Sequence, residues 1–178
     1  MDIEDFMKKI LAGASLGFLL TGCASMQVAE QPLNEYQKIV EIPNTKQSLI
    51  YDGSKQWFAK NFNDSNSVIK YDNAETGSII GKGSMRFKCQ GEGLACYGED
   101  KTTLRFTVKV DSKDNRARVS FEDLILNKPS EVISGIRSPE SNRTPGFQHE
   151  VNSVKNMLDT TANSLANEVK HSVSSTDW

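Results

Sequence analysis

Between Tyr36 and Leu126 apolar and polar residues alternate with a period of two along five stretches, interrupted once by a rhythm near 3.6. Tyr36 to Ile42 sets Tyr36, Lys38, Val40 and Ile42 on one face and Ile39 on the other, then stops at Pro43, which predicts a first strand. From Lys46 to Phe62 the residues Leu49, Ile50, Trp57, Phe58 and Phe62 fall on one stripe of a helix that Asn44 or Thr45 can cap. Gly53 lies on or near that stripe and costs about 1 kcal/mol of helix propensity, which points to a close approach to the sheet.

Four strands follow. Val68 to Tyr71 is short, and Asp72 to Gly77 turns it into Ser78 to Cys89, where Met85, Phe87 and Cys89 alternate with Ser84, Arg86 and Lys88. Gly81 and Gly83 in that strand indicate a bulge or bend. In Thr102 to Val110, Leu104, Phe106, Val108 and Val110 point one way and Thr103, Arg105, Thr107 and Lys109 the other. After a turn at Asp111 to Asp114, Ala117, Val119 and Phe121 oppose Arg116, Arg118 and Ser120 in a strand that runs on to Leu126. Residues 127–147, rich in Ser, Pro, Gly and Asn, read as a long irregular connection. A final helix over 148–172 places Val151, Val154, Leu158, Ala162, Leu165 and Val169 on one stripe. The expected fold is α+β in the order β-α-β-β-β-β-α: a five-stranded antiparallel sheet with both helices on one face.

The front of the chain follows a different logic. Lys8 and Lys9 precede eleven residues, Ile10 to Leu20, too few to cross a bilayer, which needs roughly 20. Leu20-Thr21-Gly22-Cys23 then offers an apolar residue, two small ones and a cysteine, the pattern of a bacterial lipoprotein signal. Leu20, Thr21 and Gly22 are the expected recognition residues of the signal peptidase, and Cys23 is the expected acceptor of a diacylglycerol and N-terminus of the mature chain. Residues 1–22 are then the signal and 23–35 a lipidated start and tether. Asp2, Glu4 and Asp5 sit badly in a basic leader, whereas Met7-Lys8-Lys9 starts one well, so Met7 competes with Met1 as the true start. Ala24 and Ser25 lack the aspartate of an inner-membrane retention signal, which, in a cell with two membranes, favours the outer membrane facing the periplasm.

With Cys23 carrying lipid, Cys89 and Cys96 remain as one pair in an oxidising compartment. A disulfide is expected between them, with reduced thiols or a metal site as the alternatives. The full chain has formal charge −2; losing residues 1–22 removes two lysines and three acidic residues and leaves −1. Near-neutrality argues against bulk nucleic-acid binding.

Lys38-Ile39-Val40-Glu41-Ile42-Pro43, Gln56-Trp57-Phe58-Ala59-Lys60-Asn61-Phe62, Val68-Ile69-Lys70-Tyr71-Asp72 and Ile79-Ile80-Gly81-Lys82-Gly83 together resemble a bacterial envelope family classed as a domain of unknown function with a TATA-box-binding-protein-like (TBP-like) fold. The resemblance covers residues 36–126 and implies the fold read from periodicity. It brings no catalytic or ligand residues, and fold alone does not carry function, DNA binding included.

The chemistry of known motifs is sparse. Gly81-Lys82-Gly83 lacks the spacing and the Ser or Thr of a phosphate-binding loop, no Gly-x-Ser-x-Gly is present, and His149 and His171 read as solvated residues at opposite ends of the last helix. No cofactor is expected. If the apolar parity faces the helices, the opposite parity exposes Lys82, Arg86, Lys88, Arg105, Lys109, Arg116 and Arg118, with only Glu122 to offset them. Such a face can attract an anionic envelope partner, or it can merely discourage sheets from aggregating. The expected protein is a non-enzymatic, lipid-anchored binding or assembly module; a hydrolase of an envelope polymer is the alternative.

Overall fold

The sheet is built from the alternating segments and closes in an order that the sequence leaves open. The computed structural model describes residues 27–62, 69–91, 96–133 and 135–174. Leu20 to Cys23, the turn at 63–66, Val68 and the interior of the cysteine ring at 92–95 lie outside the described residues. Strand β1 (Tyr36–Glu41) leads into helix α1 (Gln47–Asn61), then β2 (Ile69–Asn73), β3 (Ser78–Arg86), β4 (Thr103–Lys113) and β5 (Arg116–Lys128). Beyond them come β6 (Glu131–Ile133), β7 (Ile136–Ser138), β8 (Ser141–Arg143) and helix α2 (Gln148–Ser174).

The strands run antiparallel in the order β1-β5-β4-β3-β2, and β8 pairs with β5 as a sixth member. The expected α+β, TBP-like sheet with two helices on one side is what forms, with one strand more than the pattern gives. The extra strands lie in 127–147, expected as irregular. Pro129, Pro139 and Pro145 fall between or just outside β5, β6, β7 and β8, so here they punctuate short strands.

Packing follows from the parity. Ile79 of β3, Leu104, Phe106, Val108 and Val110 of β4, and Ala117, Val119, Phe121, Leu124 and Leu126 of β5 are buried against Ile50, Trp57 and Phe58 of α1 and Val154, Leu158, Ala162, Leu165 and Val169 of α2. Rings step through this core edge to face, Phe62 to Phe106 at 5.6 Å and Phe106 to Phe121 at 5.3 Å, a geometry that satisfies their quadrupoles. Trp57 is buried, and its indole N–H donates to Ser164 Oγ at 2.8 Å, so the largest core side chain also ties α1 to α2.

Four local expectations are corrected by tertiary geometry. Leu49 points outward; the stripe of α1 runs through Ile50, Gly53, Ser54, Trp57 and Phe58. Gly53 approaches α2 rather than the sheet: a Cβ there would lie 2.9 Å from Val169 Cα. Neither Asn44 nor Thr45 caps α1. Its Gln47 N–H instead donates to Asp114 Oδ1 at 2.8 Å, a carboxylate supplied by the β4–β5 turn, where Asn115 takes φ +67°. Gly81 and Gly83 make no bulge, since β3 pairs with β4 in unbroken register. Gly83 leaves room for the Phe106 ring, which a Cβ would meet at 2.6 Å, and the irregularity lies on β2 between Ile69 and Tyr71.

Candidate functional site

Among the described residues, one face of the sheet has no helix on it. Its registers stack Ile39, Arg118, Asp111 and Ser78 in one row, Ser120, Lys109 and Ile80 in the next, then Glu122, Thr107 and Lys82, then Ile125, Arg105 and Ser84. β5 changes parity partway along: Glu122 and Asp123 are both exposed, Asp123 adopts φ 55°, and Leu124 and Leu126 return to the core. Arg105 to Thr107 on β4 are opposed by Glu122 to Ile125 on β5, one residue too many, so Asp123 sits in a β-bulge. Beside it the open face sinks into a hollow of about 610 Å³ lined by Lys82, Arg105, Thr107, Asp123, Ile125 and Asn127. Thr107 Oγ1 donates to Asp123 Oδ2 at 2.9 Å and fixes the bulged carboxylate at the rim.

Six of the seven candidate cations fall on this face or its margin, and their surroundings differ. Arg118 and Lys109 converge on Asp111, at 2.7 and 3.2 Å. Arg105 donates to Asn142 Oδ1 on β8 at 3.2 Å, and Arg86, at the end of β3, donates to the Asp100 carbonyl at 3.2 Å. Lys82 and Arg116 are exposed. Lys88 is placed elsewhere: β3 ends at Arg86, the Lys88 N–H donates to Met157 Sδ of α2 at 3.3 Å, and Lys88 lines a separate hollow with Asn156 and Met157.

The expected charge balance is also corrected. β4 runs three residues past Val110, to Lys113, so Asp111 lies on the open face instead of in a turn, and Glu41 on β1 faces Arg116 there as well. Partial burial pushes the Asp111 carboxyl up, but hydrogen bonds from Ser78, Arg118 and Lys109 outweigh it and hold the group below its ordinary value. Asp111 therefore neutralises part of the cationic row.

On the helix side the polar clusters are structural. Asp159 of α2 accepts from Tyr36 Oη at 2.8 Å and from Lys38 Nζ, joining β1 to the helix. Burial, then the hydrogen bond to Asp159, push the Tyr36 hydroxyl up to about 12. Glu150, buried in the first turn of α2, receives Arg143 of β8 at 2.5 and 2.7 Å and the N–H groups of Gly146 and Phe147 at 3.1 Å. His149 is no solvated helix end: its ring stacks on Phe147 at 5.9 Å and its Nδ1 is buried with no partner among the described residues. Cys89 and Cys96 form the expected disulfide, with Cα atoms 5.7 Å apart. Among the described residues no three of His, Cys, Asp or Glu converge closely enough to hold a metal ion.

The residue that strict alternation misses is Asp123, and its signal is present in Phe121-Glu122-Asp123-Leu124, where two polar residues separate two core residues instead of one. Asn142 is missed because a three-residue strand carries too little pattern to register.

Comparison with a solved structure gives the same architecture. A TBP-like protein from Parabacteroides distasonis superposes with a TM-score of 0.58 at 13% identity, over 82% of this chain and 97% of that one. A DUF4468 family protein from Bacteroides ovatus aligns over 84% of this chain and 88% of that one at 14% identity, with a TM-score of 0.45. No curated protein matches. A family model described as a domain of unknown function with TBP-like fold matches residues 36–126, and the chain belongs to that family, DUF4468.

Proposed function

We propose that the protein is a lipid-anchored, non-enzymatic binding or assembly module of the cell envelope, held through Cys23 to the outer membrane and facing the periplasm. Its open sheet face receives an anionic envelope partner, bearing phosphate or carboxylate groups. The observation that carries the reading is the hollow at the Asp123 bulge, where Lys82 and Arg105 border a concavity of about 610 Å³ on a face that no helix covers among the described residues. Thr107 Oγ1 and Asn127 Oδ1 add acceptors that can bond a sugar's hydroxyls, their own donor hydrogens being held by Asp123, Glu140 and Asn142. Nucleic acid is not the proposed partner, since the chain as a whole carries −2.

The test is binding of the full chain to lipopolysaccharide and to peptidoglycan fragments at about 0.01 M and about 0.15 M salt, between which the Debye length falls from roughly 30 to 8 Å. Affinity should drop with salt, and Lys82→Glu with Arg105→Glu should lower it about tenfold at low salt, a loss of about 1.4 kcal/mol. Binding that ignores both salt and these substitutions removes the reading. The hydrolase alternative has one observation in its favour: Glu35, Glu122 and Asp123 line a neighbouring hollow of about 480 Å³. Release of soluble fragments from either polymer, abolished by Glu122→Gln, would establish it.

A further inference from the structure

The segment expected as a tether is fastened to the body from Gln27 onward. Gln148 N–H donates to the Gln27 carbonyl at 2.7 Å, Ala29 N–H to Gly146 at 2.8 Å and Leu33 N–H to Pro145 at 2.9 Å, and Val28 bridges Phe147. These bonds set Gln27 at the start of α2, at the end of the sheet where β5 runs out and β8 joins it. Four residue steps separate Gln27 from Cys23, at most about 14 Å of chain. A body attached through Cys23 is therefore held with this one end at the bilayer.

That end is also where the protein is most apolar outside. The four most exposed large hydrophobic residues among those described are Val28 at 75%, Tyr97 at 75%, Ile136 at 73% and Val132 at 62%. Val28 precedes the α2 junction, Tyr97 lies in the β3–β4 connection, and Val132 and Ile136 belong to the β6–β7 ribbon. The ribbon pairs Val132 with Arg137 and Ile133 with Ile136, so Val132 and Ile136 lie on opposite faces, and both faces are exposed. A lone two-stranded ribbon is marginal in water, and one flat protein surface would cover only one of its faces. The charges around its base are already matched, Lys101 with Glu131 at 2.7 Å and Lys128 with Glu99 at 3.5 Å, which lowers the cost of bringing them near lipid.

We propose that this end is a membrane footing. The β6–β7 ribbon, with Tyr97 and Val28, sits in the headgroup and acyl boundary of the bilayer that carries the lipid on Cys23. Tyr97 suits that boundary as an amphipathic ring, and Arg137 can extend its charge to the phosphates while its stem lies along Val132. The footing rests on the lipid-anchor reading, and it fixes an orientation that a free tether would not.

The experiment uses the full chain with Ile136→Trp on vesicles of phosphatidylethanolamine and phosphatidylglycerol. It is attached either by its native lipid or, with six histidines placed directly before Gln27, by a chelating lipid. Brominated acyl chains should quench at least half of the emission gained over the parent chain. Val132→Trp should behave the same on the other side of the ribbon, and Ile39→Trp on the open sheet face should keep its emission. Unquenched tryptophans at 132 and 136 in the chelated preparation overturn the footing, whatever Cys23 carries. The mass of the N-terminal peptide decides the lipid reading separately: an unmodified Cys23 overturns that reading, and the chelated chain still decides the footing.

Discussion

Gly53 shows how far one hydrogen atom matters in this core. In an isolated helix Gly→Ala gains about 1 kcal/mol, so the sequence alone ranks Gly53→Ala as stabilising. The helix crossing reverses the sign, because the new Cβ would lie 2.9 Å from both Val169 Cα and Val169 Cγ2, and backbone cannot swing aside as a flexible side chain can. Overpacking of this kind costs about 1–3 kcal/mol. Gly53→Ala should therefore be net destabilising, by up to about 2 kcal/mol, read as a lower urea midpoint at unchanged slope. A raised midpoint would mean the two helices separate without penalty.

At the scale of elements, the junction of β8 with α2 is set by Glu150. Burial alone would push its carboxyl up, but Arg143 and two backbone N–H groups outweigh burial and hold it below its ordinary value of 4.5. A depressed carboxylate contributes stability that is fully present above its unfolded pKa and is lost as pH falls through the folded one. Stability should thus decline from about pH 5 downward. Glu150→Gln should cost about 2 kcal/mol at pH 7, where Arg143 loses its charged partner, and flatten that acid limb. Urea melts from pH 7 to 3 check both statements, and an unchanged acid limb in the variant would assign the sensitivity to other carboxylates. None of this was legible in the sequence, where Glu150 reads as an ordinary first-turn acid. The strands and helices were legible because Leu104 to Val110 and Val151 to Val169 repeat with periods only one structure satisfies. The helix cap from Asp114, the bulge at Asp123 and the strand of Ser141 to Arg143 were not, because each depends on a partner distant in the chain or on fewer residues than a period needs.

For the molecule as a whole, a near-neutral chain presents an open face whose cations are partly spent internally. β4 and β5 extend about 36 Å from the proposed footing to the Asp114–Asn115 turn. A body standing on that end therefore exposes the open face along the membrane normal, with Arg118, Asp111 and Lys109 far from the lipid and the hollow at Asp123 nearer to it. Asp111 divides the two roles this face can have. If the cations exist to hold an anion, Asp111→Asn frees Arg118 and Lys109 and adds one unit of positive charge to the face. Anionic glycan should then bind several-fold tighter at about 0.01 M salt, with the gain fading near 0.15 M. The same change leaves one acceptor oxygen where two served Ser78, Arg118 and Lys109, so the fold should lose about 1 kcal/mol. Titration of the full-length Asp111→Asn variant alongside its urea melt reads both quantities. Tighter, salt-sensitive binding in a slightly weaker fold is the expected combination. Lost stability without any gain in binding would mean that the basic rows only keep sheet faces apart.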